Sequence, residues 1–209
     1  MKSLKEVRLY CFSPGDFLMG RDPIKMVADQ IKGGADIIQL REKDMPKREK
    51  LGLGLAIRKV TTQEGVLFIV NDDIDLAQIL DADGVHLGQD DIPIKYARPL
   101  LKDKIIGIST HSLDQAREAI DSGADYIGIG PVFKTGTKIK ADPIVGIDLI
   151  LTVKASSPIP VIAIGGIGEK NIDLLVRRGI KRVAIISDIL SSKDIEAKTR
   201  TLKEKLISA

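Results

Sequence analysis

Residues Gly33 to Lys43 read GGADIIQLREK. A glycine pair suits the carboxyl end of a helix, where a residue without a Cβ takes the left-handed turn that satisfies the last carbonyls. Ile37 then opens an apolar run of strand length, so one element stops and the next begins with almost no loop between them. Alternation along that strand puts Gln39, Arg41 and Lys43 on one face and Ile38, Leu40 and Glu42 on the other. Burying an amide and two cations together in a packed core is costly unless each charge is paired. The trio therefore fits a strand end that faces an anionic ligand, the plainer alternative being a strand that runs out into a solvated basic turn.

The same joint recurs outward from this stretch. Asp81-Ala82-Asp83-Gly84, Ser122-Gly123-Ala124-Asp125 and Gly179 each close an amphipathic segment just before an apolar run. Helix starts are marked by Asp22-Pro23 and by Ser112 with Gln115 three residues on. Helical segments carry apolar residues at three and four spacings, as in Ile24, Val27, Ala28 and Ile31. Eight short β-branched runs emerge: Arg8 to Ser13, Ile37 to Glu42, Leu67 to Asp72, Gly84 to Gly88, Ile105 to Thr110, Tyr126 to Val132, Val161 to Gly166 and Arg182 to Ser187. Strands alternating with helices imply a parallel sheet, and eight βα units close a barrel. The fold expected is α/β, a single (β/α)8 TIM barrel spanning residues 1–209, with no linker or second domain.

Composition narrows the function. The 209 residues carry a net charge of +3, with 44% hydrophobic and 29% charged residues, and no basic arm or aromatic platform. This argues against nucleic acid as a partner. No apolar run reaches membrane-spanning length and the first residues lack the apolar core of a signal peptide, so a cytoplasmic protein is expected. The lone Cys11 lies in an apolar run and excludes an internal disulfide or a multi-cysteine metal site. A homo-oligomer is compatible with all of this.

In a closed barrel the ligand site lies in the loops after the strands. Those positions hold Gln39, Arg41 and Lys43; Asn71 and Asp72; Gln89, Asp90 and Asp91; Ser109, Thr110 and His111; Thr135, Gly136, Thr137 and Lys138; Gly165 and Gly166; Ile186 and Ser187. Asp72 and Asp91 follow neighbouring strands and can converge on one hard cation, for which magnesium is suited. Either aspartate could instead cap the helix that follows. His86 and His111 have no spacing that suggests zinc. Gly165-Gly166 with Ser187 matches the usual barrel phosphate site, and the loop from Lys134 to Lys138 adds hydroxyls and cations.

The chain carries QLREK at 39–43, NDD at 71–73, DGVHLGQDD at 83–91, GISTHS at 107–112, GPVFKTGTK at 130–138, IAIGGI at 162–167 and IISDI at 185–189. With these motifs in this order it resembles the thiamine phosphate synthase family. The resemblance implies a (β/α)8 transferase of thiamine biosynthesis that joins an aminopyrimidine methyl diphosphate to a thiazole phosphate and releases diphosphate. Two small phosphorylated heterocycles would then be its partners. It further implies that Gln39, Leu40, Arg41, Glu42, Lys43, Asn71, Ser109 and Lys138 hold the pyrimidine diphosphate, and that Asp72 and Asp91 hold Mg2+. Thr135, Gly136, Thr137, Gly166, Ile186 and Ser187 would hold the thiazole phosphate. Arg41, Lys43 and Lys138 would neutralise the leaving group. Lys134 departs from the family's pattern, which usually has proline there; it leaves the loop less rigid and adds a cation.

The reaction suits these residues, because a dissociative path through a stabilised carbocation needs no protein nucleophile and no activated Ser or Cys constellation is evident. Two alternatives stand beside it. One is a thiazole tautomerase of the related barrel subfamily, in which the histidine matching His111 moves protons; its members generally lack the paired aspartates and the full QLREK. The other is a non-catalytic phosphate-binding barrel.

Overall fold

The structure is a computed structural model and describes residues 3–136 and 143–208. Eight parallel strands close in chain order: β1 (Leu9–Phe12), β2 (Ile37–Leu40), β3 (Leu67–Asn71), β4 (Gly84–Leu87), β5 (Ile105–Thr110), β6 (Tyr126–Ile129), β7 (Val161–Ile164) and β8 (Val183–Ala184). Closure is made where Leu9 pairs with Val183 and Tyr10 with Ala184. Around the barrel run α1 (Pro23–Lys32), α2 (Lys47–Glu64), α3 (Ile74–Ile79), α4 (Ile94–Leu101), α5 (Leu113–Asp121), α6 (Gly146–Ser156) and α7 (Ile172–Arg177). After β8 come a short α8 (Ser187–Leu190) and the long α9 (Ile195–Ile207).

The expected fold is therefore present, with shorter strands than the apolar runs suggest. The run from Tyr126 stops as strand at Ile129, because Pro131 has no N–H to give to a ladder. The run from Arg182 yields only Val183 and Ala184, and Ser187 opens α8 instead of ending a strand. On α1 the buried stripe is Met26, Val27, Gln30 and Ile31, rotated from the expected Ile24, Val27, Ala28 and Ile31. Gln30 can lie in that stripe because its amide donates to the Phe12 and Met26 carbonyls.

Helix starts follow the sequence signals. Asp22 accepts from the Ile24 and Lys25 amides, with Pro23 as the first helical residue. Ser112 accepts from the Gln115 amide, while the Gln115 side chain accepts from His111 N–H. The caps differ in one respect from a simple box, since Gln115 reaches one residue further back.

Strand alternation divides the core in two. Ile38, Phe68, Val85, Ile106, Ile127 and Ala163 pack outward against the helices. Tyr10, Phe12, Ile37, Leu67, Ile69, Tyr126 and Ile162 fill the barrel interior. Two interior positions are glycine because rings lie across them. A Cβ on Gly107 would fall 2.0 Å from the Tyr126 ring, and one on Gly128 would fall 3.3 Å from the His86 ring.

The amino ends of the strands are held by aspartates from the glycine joints. The Asp36 carboxylate accepts from the Arg8 and Leu9 amides, Asp83 from Phe68, and Asp125 from Ile106. In each case the aspartate's own amide donates back to the carbonyl of Leu9, Phe68 or Ile106. Each carboxylate also meets one cation: Lys203, Arg58 and Arg98 respectively. The joints that sequence reading treats as glycine caps are thus also brackets that tie β2 to β1, β4 to β3 and β6 to β5.

Candidate active site

At the carboxyl ends of the strands a cavity of about 500 Å³ opens into the barrel. Gln39, Arg41 and Lys43 line one side of it, as alternation along β2 requires. Asn71, Asp72, Asp91, Ser109, Thr135, Gly166, Ile186 and Ser187 line it as well. Gly136 opens onto an adjoining groove with Gly166 and Ser187. Thr137 and Lys138 lie outside the described residues. Leu40 and Glu42 do not line the cavity. The Leu40 side chain packs in the helix-facing core, and the Glu42 carboxylate accepts from the Gly15 amide. Neither side chain reaches the cavity, so only their backbone could meet a ligand there.

The strand ends are fixed by loop contacts. The Arg41 amide donates to Ser13, and burial lowers the guanidinium's pKa against the pull of Asp72, Asp16 and Glu42. Asp72 leaves β3 with φ +61, a left-handed conformation that Asp and Asn tolerate better than other side-chain residues do. Its amide donates to the His86 carbonyl at 2.9 Å. Asp91 accepts from the Gly88 amide at 2.6 Å. Neither caps a helix: α3 follows Asp73 and α4 follows Pro93, both without a side-chain cap.

The two carboxylates instead meet each other. Asp72 is exposed to the cavity by area yet crowded by protein, and this desolvation, followed by the neighbouring Asp91, pushes its pKa up to about 6. Lys43 and Arg41 pull the other way and do not cancel it. Two carboxylates held this close repel one another at the cavity wall, an arrangement that a cation would relieve. Among the described residues no third carboxylate, histidine or cysteine joins the pair.

Opposite the cation-rich side, Gly165 and Gly166 take φ +100 and +64. A Cβ on Gly166 would fall 2.5 Å from the Lys134 carbonyl oxygen. The glycine is therefore required by the approach of the β6 loop, besides leaving amides open to an anion.

Sequence reading missed the floor of the cavity. Gln39 donates to the Tyr10 hydroxyl at 2.7 Å, Tyr10 lies 3.0 Å from the Tyr126 hydroxyl, and Tyr126 lies 2.8 Å from His86 Nδ1. His86 Nε2 is 2.8 Å from Ser109 Oγ. A Ser–His pair is thus present where none was evident from a separation of 23 residues. It is not an activated nucleophile, because a buried tyrosine rather than a carboxylate holds Nδ1 and offers no charge to an imidazolium. Only the alternation of Tyr10, His86 and Tyr126 toward the barrel axis could have signalled the arrangement.

Residues 9–189 match the family described as thiamine monophosphate synthase. The chain is 46% identical over 204 residues to a thiamine-phosphate synthase of Pelotomaculum thermopropionicum, covering 97% of this chain and 94% of that protein. It is 44% identical over 199 residues to one from Dictyoglomus thermophilum, covering 95% and 89%. A solved structure of thiamine phosphate pyrophosphorylase from Pyrococcus furiosus superposes with a TM-score of 0.89 at 34% identity, covering 98% of both chains. With a cavity built on QLREK, the aspartate pair and the glycine turn, and with relatives of this closeness along its whole length, the chain belongs to the thiamine monophosphate synthase family.

Proposed function

We propose that the protein is a thiamine phosphate synthase, a transferase that displaces diphosphate from an aminopyrimidine methyl diphosphate with the nitrogen of a thiazole phosphate. The observation that carries this reading is one cavity with two differently built anion sides. Arg41, Lys43 and the Asp72–Asp91 pair stand on one side; Thr135, Gly166 and Ser187 stand on the other. Two phosphorylated substrates can then lie with their reacting atoms between these sides, where juxtaposition replaces a bimolecular encounter.

Arg41 and Lys43 neutralise and orient the diphosphate with Ser109 as a further donor to it, and Gln39 fixes the ring that carries it. The backbone at Gly166 and the Ser187 hydroxyl hold the thiazole phosphate, so that its nitrogen faces the methylene. No side chain attacks. The Cys11 thiol is buried with its pKa raised by desolvation, and Ser109 serves as a hydrogen-bond partner. The donor set of Asp72 and Asp91, two carboxylates with no third protein ligand among the described residues, fits Mg2+, which takes one or two carboxylates and completes its shell with substrate oxygens. When bound, that ion would supply charge neutralisation to the departing diphosphate. Among the described residues no helix is long and apolar enough to cross a membrane; a cytoplasmic location and a homo-oligomeric state are part of this proposal.

The test is turnover of purified protein with both substrates and magnesium. Thiamine phosphate and diphosphate should appear in equal amounts. Isomerisation of a thiazole carboxylate without any pyrimidine substrate would instead identify a tautomerase, and phosphate binding without turnover a non-catalytic barrel.

A further inference from the structure

Beneath the cavity the side chains of Gln39, Tyr10, Tyr126, His86 and Ser109 form a single line of hydrogen bonds from β2 across β1 and β6 to β4 and β5. The line is built rather than incidental. Tyr10 and Tyr126 are buried, the His86 and Tyr126 rings stack at 5.5 Å, and Gly107 and Gly128 leave room for those rings. Burial holds both phenols in the neutral form.

A neutral hydroxyl has one proton to give, so the first donor sets the direction of every later bond. The Gln39 amide nitrogen donates to Tyr10. Tyr10 must then donate to Tyr126, and Tyr126 to His86 Nδ1. That nitrogen therefore carries no proton; Nε2 carries it and donates to Ser109 Oγ. The Ser109 proton is left to point into the cavity. Were the Gln39 amide reversed, each bond would reverse, and Ser109 would spend its proton on His86. An imidazolium does not fit the direction in which Gln39 donates, because Tyr126 would receive from both sides and its own proton would have no acceptor.

We infer that Tyr10, Tyr126 and His86 are positioning residues that transmit the orientation of the Gln39 amide to Ser109, so that Ser109 presents a donor to an anionic oxygen of the substrate. The identity of that oxygen rests on the synthase reading above; the direction of the chain does not. Sequence separation hides this coupling, since residues 10, 39, 86, 109 and 126 come from five strands.

Nitrogen-15 NMR of labelled histidine in the ligand-free protein reads the direction without any turnover. With two histidines in the sequence, a His86→Gln sample assigns the signals. Wild type should show the neutral Nε2–H tautomer for His86 near neutral pH. Gln39→Glu supplies only an acceptor to Tyr10 and should convert His86 to the Nδ1–H form; in a Tyr126→Phe background the same change should leave the tautomer unmoved. An Nδ1–H tautomer or an imidazolium in wild type overturns the inference, as does a response to residue 39 that survives Tyr126→Phe.

Turnover supplies a second readout. Tyr126→Phe should lower kcat about tenfold with little change in KM, the scale of one hydrogen bond to a charged group. That loss should vanish in a Ser109→Ala background, whereas a merely structural role would produce the same loss in both backgrounds and defeat the inference. A wild-type protein with no synthase turnover would defeat the synthase reading and leave the tautomer result standing on its own.

Discussion

At the amino ends of the strands, Asp36, Asp83 and Asp125 each receive backbone amides and a cation. At the carboxyl ends, Asp72 and Asp91 crowd one another, and the Asp72 carboxyl is harder to ionise than an ordinary one. The residue type is the same and the strands overlap, since Asp83 precedes β4 and Asp91 follows it. What differs is the balance of charge: each lower aspartate has its own amides and cation, whereas at Asp72 burial and the neighbouring Asp91 outweigh Lys43 and Arg41. The first arrangement stabilises the barrel; the second is one that a further cation would relieve. The contrast predicts that mutations at the two ends should separate stability from activity.

The largest effect is expected at Asp36, whose side chain is only 2% exposed. Asp36→Ala strands the Arg8 and Leu9 amides and the Lys203 ammonium, and should cost about 3–5 kcal/mol, the range for removing one partner of a buried pair. Denaturant unfolding measures it, and a loss under about 1 kcal/mol, the scale of an exposed ion pair, would dissolve the distinction between the two rims.

Next in size is the opposite outcome at Asp72. Asp72→Asn keeps the left-handed backbone while removing one charge, so it should lower turnover by about 10²–10³-fold, the scale of losing a fixed electrostatic contact in the transition state. Stability should hold or rise. Magnesium and the diphosphate should also cease to strengthen each other's binding, and calorimetric titration with each ligand alone and with both present reads that coupling. Undiminished coupling in both Asp72→Asn and Asp91→Asn would leave the pair without a metal role.

A smaller stability loss, about 1 kcal/mol, is expected for Asp125→Ala, because its side chain is 40% exposed and water can replace much of what is lost. Equal losses at Asp36 and Asp125 would show that burial does not grade the lower rim.

The smallest effect is a pH slope. The Asp72 carboxyl has a folded value of about 6 against an ordinary 3.8. Between those values the folded protein keeps a proton that the unfolded chain has released, so stability falls as pH rises through that window. Below it the stabilising proton is held in both states, and above it neither state holds it. Asp72→Asn should flatten this slope in metal-free protein; a slope that persists belongs to another group.

Much of this was legible because it follows from local rules. Apolar runs repeat eight times along the chain, four of them opened by a glycine joint, and alternation alone aimed Gln39, Arg41 and Lys43 at the cavity and Leu40 and Glu42 away from it. The brackets at Asp36, Asp83 and Asp125 were visible only as residues beside glycine, because their partners lie on the preceding strand and on distant helices. The hydrogen-bond line beneath the cavity was less legible still. Tyr10, His86 and Tyr126 read as strand residues like any others, and no spacing in one dimension reports that five strands turn them toward a common axis. Ser187 shows a different failure: an apolar run continued to it, but the backbone turns into α8 at Ile186.

The first bracket has a consequence for the newly made chain. Asp83 finds Arg58 within 25 residues and Asp125 finds Arg98 within 27, whereas Asp36 waits for Lys203, 167 residues on. Contacts that close long loops form late. As the polypeptide leaves the ribosome, the β3–β4 and β5–β6 brackets can gain their cations while synthesis continues, but the β1–β2 bracket, though its amides are already at hand, lacks its cation until α9 has emerged. The bracket made first is completed last, and a nascent chain halted before Lys203 carries the upper-rim aspartates without the cation that completes the clasp at its own beginning.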